Sequence, residues 1–184
     1  MRVEEYGKSV ATAGFRLNEA IIPREFILKA RVAVQPSLVQ FFDASSVAGS
    51  THLLFATINA LRAFTQGRSI AQSLDVEILL YVSAQRQIGK AIRRTGLQAE
   101  AAKVAAVLVA DDDHGLAEAE EQLVAFMPGE RDDSVLEVSE NKRKQLMELY
   151  DITELELQAI SDTSMGDALP WLIVERSALL EVRR

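Results

Sequence analysis

Apolar side chains recur at helical spacing between residues 52 and 95, and this pattern predicts three consecutive helices. The first helix runs from His52 to Phe64. Its apolar stripe consists of Leu54, Ile58, Leu61 and Thr65. Ser69 opens the second helix, with Gln72 three residues later as in a capping box. The stripe of the second helix consists of Ile70, Leu74, Ile78 and Tyr81. The third helix runs to Arg94 or Thr95, and Gly96 suits the position just past its end.

Other apolar runs predict strands. Residues 38 to 42 are mainly β-branched and aromatic, which favours a strand. Residues 101 to 110 are apolar at both odd and even positions, which is typical of a strand buried on both faces. Weaker strand patterns cover residues 3 to 6 and an edge strand at residues 134 to 138.

Start and stop signals predict further helices around these strands. The predicted helix starts are Pro23, Gly115, Ser139, Thr153 with Glu156 as a capping box, and a position near Asp167 with Pro170 in the first turn. Few strands scattered among many helices favour an α+β fold. We therefore expect one domain, residues 1 to 184, in which a small and mainly antiparallel sheet is packed with several helices.

Composition limits the kinds of chemical site that the protein can contain and indicates its cellular compartment. The chain has 184 residues and no cysteine, which excludes disulfides, thiolate metal sites and cysteine nucleophiles. No apolar run approaches the roughly 20 residues that a membrane-spanning helix needs. Acidic residues stand near the N-terminus, where a signal peptide would have its basic and apolar regions. We expect a cytoplasmic protein with no membrane partner.

The sequence lacks familiar catalytic motifs. It has no phosphate-binding glycine loop, no nucleophile elbow and no metal-binding helix motif. The run from Asp111 to His114 could bind a divalent cation through its carboxylates, but we interpret it as an acidic loop that caps the following helix. The expectation is a protein that is not an enzyme and has no cofactor and no metal site.

Positive charge is concentrated in one part of an acidic chain. The net charge is −7, yet residues 50 to 103 contain seven basic and three acidic residues. Four of these basic residues, at i, i+4, i+7 and i+8, share one helical face: Arg86, Lys90, Arg93 and Arg94. Such a face can contact several phosphates, although a solvated face is the commoner meaning of a run of charges. Gln85, Gln87 and Ile88 stand beside it, where they could contact splayed RNA bases.

Several strings in this region resemble the small, non-catalytic subunit of the KEOPS complex, which binds the kinase-like ATPase of that complex. The strings are Phe42-Asp43-Ala44, His52-Leu53-Leu54-Phe55-Ala56, Asn59-Ala60-Leu61, Ser73-Leu74, Glu77-Ile78-Leu79-Leu80, Arg86-Gln87-Ile88, Gly96-Leu97 and residues 174 to 180. The first 37 residues carry no matching motif. The chain departs from the family pattern at Ala84, where glycine is expected, so a tighter or more helical turn is expected there.

The resemblance implies a function, two partners and a set of site residues. The family takes part in making threonylcarbamoyladenosine (t6A) in tRNA, binds the kinase-like ATPase, and grips the single-stranded 3′ CCA end of tRNA. The implied tRNA-binding residues are Arg86, Lys90, Gln87, Ile88, His52, Asn59, Arg62 and Arg93. Leu172, Leu179 and Leu180 are the candidate anchors for the kinase partner, or they belong to the core of the domain itself. The alternatives are a protein-interaction module that touches no RNA, and an enzyme that uses the Asp111 to His114 cluster.

Overall fold

An antiparallel sheet forms the centre of the computed structural model, which describes residues 1–161 and 167–181. Its strands are Arg2–Val3 (β1), Lys8–Leu17 (β2), Leu38–Asp43 (β3), Lys103–Ala110 (β4) and Gly129–Arg131 (β5). The strand order is β1-β2-β4-β3, and β5 pairs with the end of β2. Together with the helices around it, this sheet confirms the predicted α+β fold.

Helices cover both faces of the sheet. They are Pro23–Ala33 (α1), Gly49–Thr65 (α2), Leu74–Ser83 (α3), Ile88–Thr95 (α4), Asp113–Phe126 (α5), Glu140–Tyr150 (α6), Glu154–Ser161 (α7) and Ala168–Ala178 (α8). The strand β4 contributes Val107 to the core beneath α2 and α3, and Leu108 to the core beneath α1 and α5. The prediction that this strand is buried on both faces is confirmed. A third apolar cluster lies among α6, α7 and α8.

Two strand predictions near the sheet need correction. Residues 134 to 138 are not an edge strand, because the chain turns into a 3₁₀ helix, Asp133–Leu136. The turn is fixed by Asp132, whose carboxylate accepts from the backbone N–H of Ser134 at 3.1 Å. Near the N-terminus only Arg2–Val3 is a strand, and residues 4 to 6 form a 3₁₀ turn that ends at Gly7 with φ of 61°. The ten-residue strand β2 was not predicted, because its small residues have little strand propensity.

The second helix begins at Leu74 and not at Ser69. Glu77 explains the difference, because its buried carboxylate accepts from the backbone N–H groups of Ile70 and Ala71. These bonds hold residues 70 and 71 in a bend that a helix started at Ser69 would not allow. Gln72 therefore forms no capping box, and Ser73 is the N-cap position.

The buried face of α2 is also different from the predicted stripe. The buried positions are His52, Leu53, Ala56, Thr57, Asn59, Ala60, Leu61 and Ala63. Leu54 and Ile58 are only half-buried, and Thr65 is exposed. The inner face of α2 is rich in alanine, and these small side chains allow α2 to pack closely against α3 and α8. The larger Leu54 and Ile58 lie at the edge of the buried face.

Candidate nucleic-acid interface

A tight turn joins α3 to α4. Ala84 ends α3 in the left-handed region, with φ of 51° and ψ of 37°. The backbone N–H of Gln85 donates to the carbonyl of Leu80 at 3.1 Å, which closes the helix end. The backbone therefore has the left-handed conformation that glycine favours, although alanine occupies the position. The different turn that was expected from the replacement of glycine by alanine is not observed.

The first turn of α4 starts directly after this junction. The carbonyl of Gln87 accepts from the backbone N–H groups of Lys90 and Ala91 at 2.9 and 3.0 Å. Ala91 and Thr95 face the protein interior, and the other side of the helix faces outward. We call the outward side the α4 surface and define it by five exposed residues: Arg86, Gln87, Ile88, Lys90 and Arg93.

Arg86 ties the α4 surface to the end of the chain. Its Nη1 donates to the backbone carbonyl of Leu180 at 2.8 Å. One of the five guanidinium N–H groups is used in this bond, so the side chain is anchored and still has donors for a phosphate. Arg86 lies two residues before α4 begins, and it joins Lys90 and Arg93 through the turn and not through a continuous helix.

Arg94 does not belong to the exposed basic face that the spacing predicted. Its guanidinium lies over the ring of Tyr150, 5.5 Å from the centroid. Nη1 donates to the carbonyl of Ser83 at 3.3 Å, and Nη2 lies 3.6 Å from Oδ2 of Asp151. This residue connects α4 to the end of α6 and is only partly exposed.

His52 and Asn59 lie inside the protein, so neither is at the surface where a direct RNA contact would form. His52 has no exposed side-chain area. Its Nδ1 accepts from the backbone N–H of Ala48 at 3.2 Å, so Nε2 carries the proton and donates to the carbonyl of Val82 at 3.1 Å. Asn59 is 9% exposed, and Arg62 is half-buried on the same helix.

Protonation of His52 is expected to destabilise the fold at acidic pH. Burial lowers the pKa of His52 from 6.5 to about 4, and the nearby Lys142 charge acts in the same direction. The unfolded state then binds the proton first, so stability is lost as pH falls from about 6.5 toward about 4, by about 2 kcal/mol at pH 5. Urea unfolding at pH 7 and pH 5 measures this loss. His114→Asn should retain it, whereas a wild-type free energy of unfolding that is the same at both pH values contradicts it.

The three leucines proposed as kinase anchors differ in their exposure. Leu172 and Leu180 are 4% and 2% exposed and lie in the apolar core of the domain, and Leu179 is half-buried. A partner cannot reach Leu172 or Leu180 without opening the core. The structure therefore supports the core interpretation for these two residues.

Replacing Ala84 with glycine is expected to stabilise the protein by about 1 kcal/mol. A non-glycine residue in the left-handed region costs roughly 1–2 kcal/mol, and glycine recovers most of this at some entropic cost. Thermal or urea unfolding measures the gain. The control is Ala117→Gly on the exposed side of α5, which should lose about as much stability. A loss of stability in both variants would show that Ala84 is not strained.

The acidic loop after β4 has structural partners for each carboxylate. Asp112 accepts from the backbone N–H of Gly115 at 2.8 Å and caps α5. Asp111 pairs with Lys8, and Asp113 accepts from the hydroxyl of Ser9 at 2.5 Å. Over residues 1–161 and 167–181 no group of three metal-binding side chains comes together.

No helix within residues 1–161 and 167–181 is long and apolar enough to cross a membrane.

Comparison with known proteins places this fold in a family. A family model described as "Kinase binding protein CGI-121" matches residues 18–179, a range that contains the helices α1 to α8 and the strands β3, β4 and β5 but neither β1 nor β2. The chain belongs to the CGI-121 family. It is also 35% identical over 145 residues to "Regulatory protein Cgi121" from Methanocaldococcus jannaschii, which covers 79% of this chain and 84% of that protein. The resemblance on which the sequence interpretation rested is thereby confirmed.

The CGI-121 fold of this chain carries a second surface feature that the sequence interpretation missed. Phe55 of α2 and Trp171 of α8 form an aromatic pair with ring centroids 5.6 Å apart and an interplanar angle of 62°. Phe55 is 37% exposed, and Trp171 is half-buried. The two residues are 116 positions apart, so no local pattern indicates that they meet. Ile58 and Val174 are half-buried and stand three residues after Phe55 and Trp171 on the same two helices, a spacing that puts residues on one helical side. We call these four residues the α2–α8 patch.

Proposed function

We propose that this protein is a regulatory, non-catalytic subunit of the KEOPS complex in t6A biosynthesis, located in the cytoplasm. In this role it binds the kinase-like ATPase of the complex and the 3′ CCA end of tRNA. The kinase partner is supported by membership of a kinase-binding family and by the name of the relative as a regulatory protein. The tRNA partner is supported by the α4 surface.

The observation that carries the RNA assignment is the composition of the α4 surface. Three cations, Arg86, Lys90 and Arg93, are exposed together on a protein whose net charge is −7. Gln87 and Ile88 are exposed beside them and offer an amide and an aliphatic side chain to unpaired bases. Cations for phosphates next to groups for bases are the combination that a single-stranded RNA site needs.

The salt dependence of tRNA binding tests this assignment. If three cations contact phosphates of a single strand, the logarithm of the binding constant should fall with the logarithm of salt concentration with a slope of about −2. Fluorescence anisotropy of labelled tRNA over a series of salt concentrations measures this slope. Absence of binding at low salt would favour the alternative, a protein-interaction module with no RNA contact.

The kinase surface is proposed to be the α2–α8 patch. Aromatic side chains are enriched at protein interfaces. Phe55 and Trp171 are partly exposed aromatic residues in contact with each other, and the aliphatic Ile58 and Val174 follow them by three residues on the same helices. Leu179, the remaining candidate anchor, is half-buried just after α8. The partner is the kinase-like ATPase, because binding a kinase is what the family description states.

A charged residue at Phe55 is expected to abolish co-purification with the kinase partner. Phe55→Asp places a carboxylate at the centre of the apolar patch, where it would be desolvated on binding. Co-expression of the two proteins followed by gel filtration measures complex formation. The matched control is Leu28→Asp, because Leu28 is a 54% exposed apolar residue on α1, on the other face of the sheet. Co-elution of the Phe55→Asp variant with the kinase, as for wild type, would exclude this patch as the interface.

A further inference from the structure

Three adjoining cavities run along α6. The first, about 310 Å³, lies at the C-terminal end of α6 beside Ala84 and Arg94. The second, about 220 Å³, shares Arg94 with the first. The third, about 420 Å³, lies at the N-terminal end of α6 beside Ser139 and shares Ser45 and Gln145 with the second. Neighbouring cavities share lining residues, and we call the three cavities together the α6 groove.

Basic residues outnumber carboxylates in the lining of the α6 groove, and two of them are paired, Arg94 with Asp151 and Arg176 with Glu156. Its five basic residues come from four separate parts of the chain: Arg93 with Arg94, Lys103, Lys142 and Arg176. Its carboxylates are Asp43, Glu137 and Asp151. The excess of cations contrasts with the net charge of −7 for the whole protein. Asp43 already accepts two hydrogen bonds within the protein, because its Oδ1 accepts from the backbone N–H and the hydroxyl of Ser45 at 2.8 and 2.7 Å.

Lys142 is a buried cation at the far end of the α6 groove, where α6 begins. It is 8% exposed, and its Nζ donates to the carbonyls of Val135 and Leu136 at 3.0 and 3.1 Å. Among the described residues no carboxylate lies within salt-bridge distance of this Nζ. Burial and the nearby Lys103 charge lower the pKa of Lys142 to about 8, while the charge of Asp43 acts in the opposite direction, so Lys142 is still mainly charged at pH 7. An anion in the groove would balance this charge.

The groove begins where the α4 surface ends. Arg93 belongs to both, and Gln85 at the start of the groove precedes Arg86 of the α4 surface. The eleven residues of α6 extend for about 16 Å, so the groove has room for a few nucleotides of an extended strand. A polar groove lined by cations can follow a nucleic-acid backbone, whereas an apolar groove would suit a protein helix.

We propose that the α6 groove binds the backbone phosphates of single-stranded RNA and extends the contact made at the α4 surface. This proposal rests on the tRNA-binding function proposed above and adds Lys103, Arg94 and Lys142 to the residues that hold the strand. Lys103 is the exposed cation at the far end, so it contacts a phosphate directly. Lys142 is fixed by its two carbonyl partners and contributes its charge.

The experiment uses the full chain and tRNAs whose 3′ single strand is intact or shortened by one, two or three nucleotides. Lys103→Glu is expected to weaken binding of the intact tRNA about fivefold to tenfold and to reduce the size of the salt slope by about 0.7 or more. The defect should disappear as the strand is shortened and no longer reaches the far end of the groove. Lys144→Glu is the matched control, because Lys144 is exposed on α6 and does not line the groove.

Each result separates this proposal from the function on which it rests. Wild-type affinity and salt slope in Lys103→Glu, together with weaker binding after charge reversal at Arg86 and Lys90, overturn the groove and leave the α4 surface in place. A defect in Lys103→Glu that is equally large for every strand length, or equally large in Lys144→Glu, also overturns the groove, because it reflects net charge alone. Failure of the wild-type protein to bind any tRNA overturns both proposals.

Discussion

Reversing the charges of Arg86 and Lys90 together is expected to weaken tRNA binding more than about tenfold. Each reversal removes a cation from the α4 surface and adds a carboxylate that repels phosphate. A tenfold loss corresponds to about 1.4 kcal/mol, a modest requirement for two lost charge contacts and two new repulsions. Titration of labelled tRNA with the Arg86→Glu/Lys90→Glu variant at low salt measures the change.

A matched control separates a local contact from the effect of net charge. The double variant Arg24→Glu/Lys29→Glu makes the same change in net charge at two exposed residues of α1. This helix packs on the other face of the sheet, so its variant should bind tRNA within about twofold of wild type. Because Arg86 also donates to the carbonyl of Leu180, urea unfolding must show that its variant remains folded. Equal affinities for both double variants would contradict a site at the α4 surface.

Replacing Glu77 with leucine is expected to destabilise the protein by about 3 kcal/mol or more. Glu77 is fully buried, and its carboxylate accepts from the backbone N–H of Ile70 at 3.1 and 3.0 Å and of Ala71 at 2.7 Å. Leucine fills similar space but leaves both N–H groups without this acceptor, at about 1–3 kcal/mol for each. The bend that precedes α3 should then lose its fixed shape. The free energy of unfolding in urea measures the loss.

Two further variants test whether the loss of stability is specific to the buried carboxylate of Glu77. Glu77→Gln retains one acceptor oxygen and should lose less stability than Glu77→Leu. Glu121→Leu removes an exposed carboxylate from α5 and should change the free energy of unfolding by less than about 0.5 kcal/mol. If Glu77→Leu is within about 1 kcal/mol of wild type, the buried carboxylate does not hold the bend.

Local signals in the sequence predicted much of the fold. The cap at Ser139, the helix start near Asp167 and the capping box of Thr153 with Glu156 occur as predicted, because these signals depend on residues within one helical turn. Gly67, just after α2, is left-handed with φ of 65°, which glycine adopts readily at the end of a helix. The start of α3 was not predicted, because it depends on hydrogen bonds that the backbone N–H groups of Ile70 and Ala71 donate to Glu77, which lies beyond the first turn of the helix predicted to begin at Ser69.

The sequence predicted the candidate site only where the position of a residue along a helix determines whether its side chain is exposed. Lys90 and Arg93 are exposed on α4 as their positions predicted. Arg94 has the same kind of side chain and lies one residue further, but Tyr150 and Asp151 hold it from across the fold. The burial of His52 likewise depends on Val82, which is 30 residues away. Such contacts are set by tertiary packing, which a single sequence does not display.

The affinity of the protein for tRNA with and without its 3′ CCA end tests the central claim most directly. One tRNA is used in two forms, intact and trimmed of the three terminal nucleotides, and both are titrated with the wild-type protein at the same low salt concentration. The proposed function predicts that trimming weakens binding by at least about tenfold, because the single-stranded end carries the contacts with the α4 surface. Equal affinity for the two forms would contradict recognition of the 3′ end by this protein.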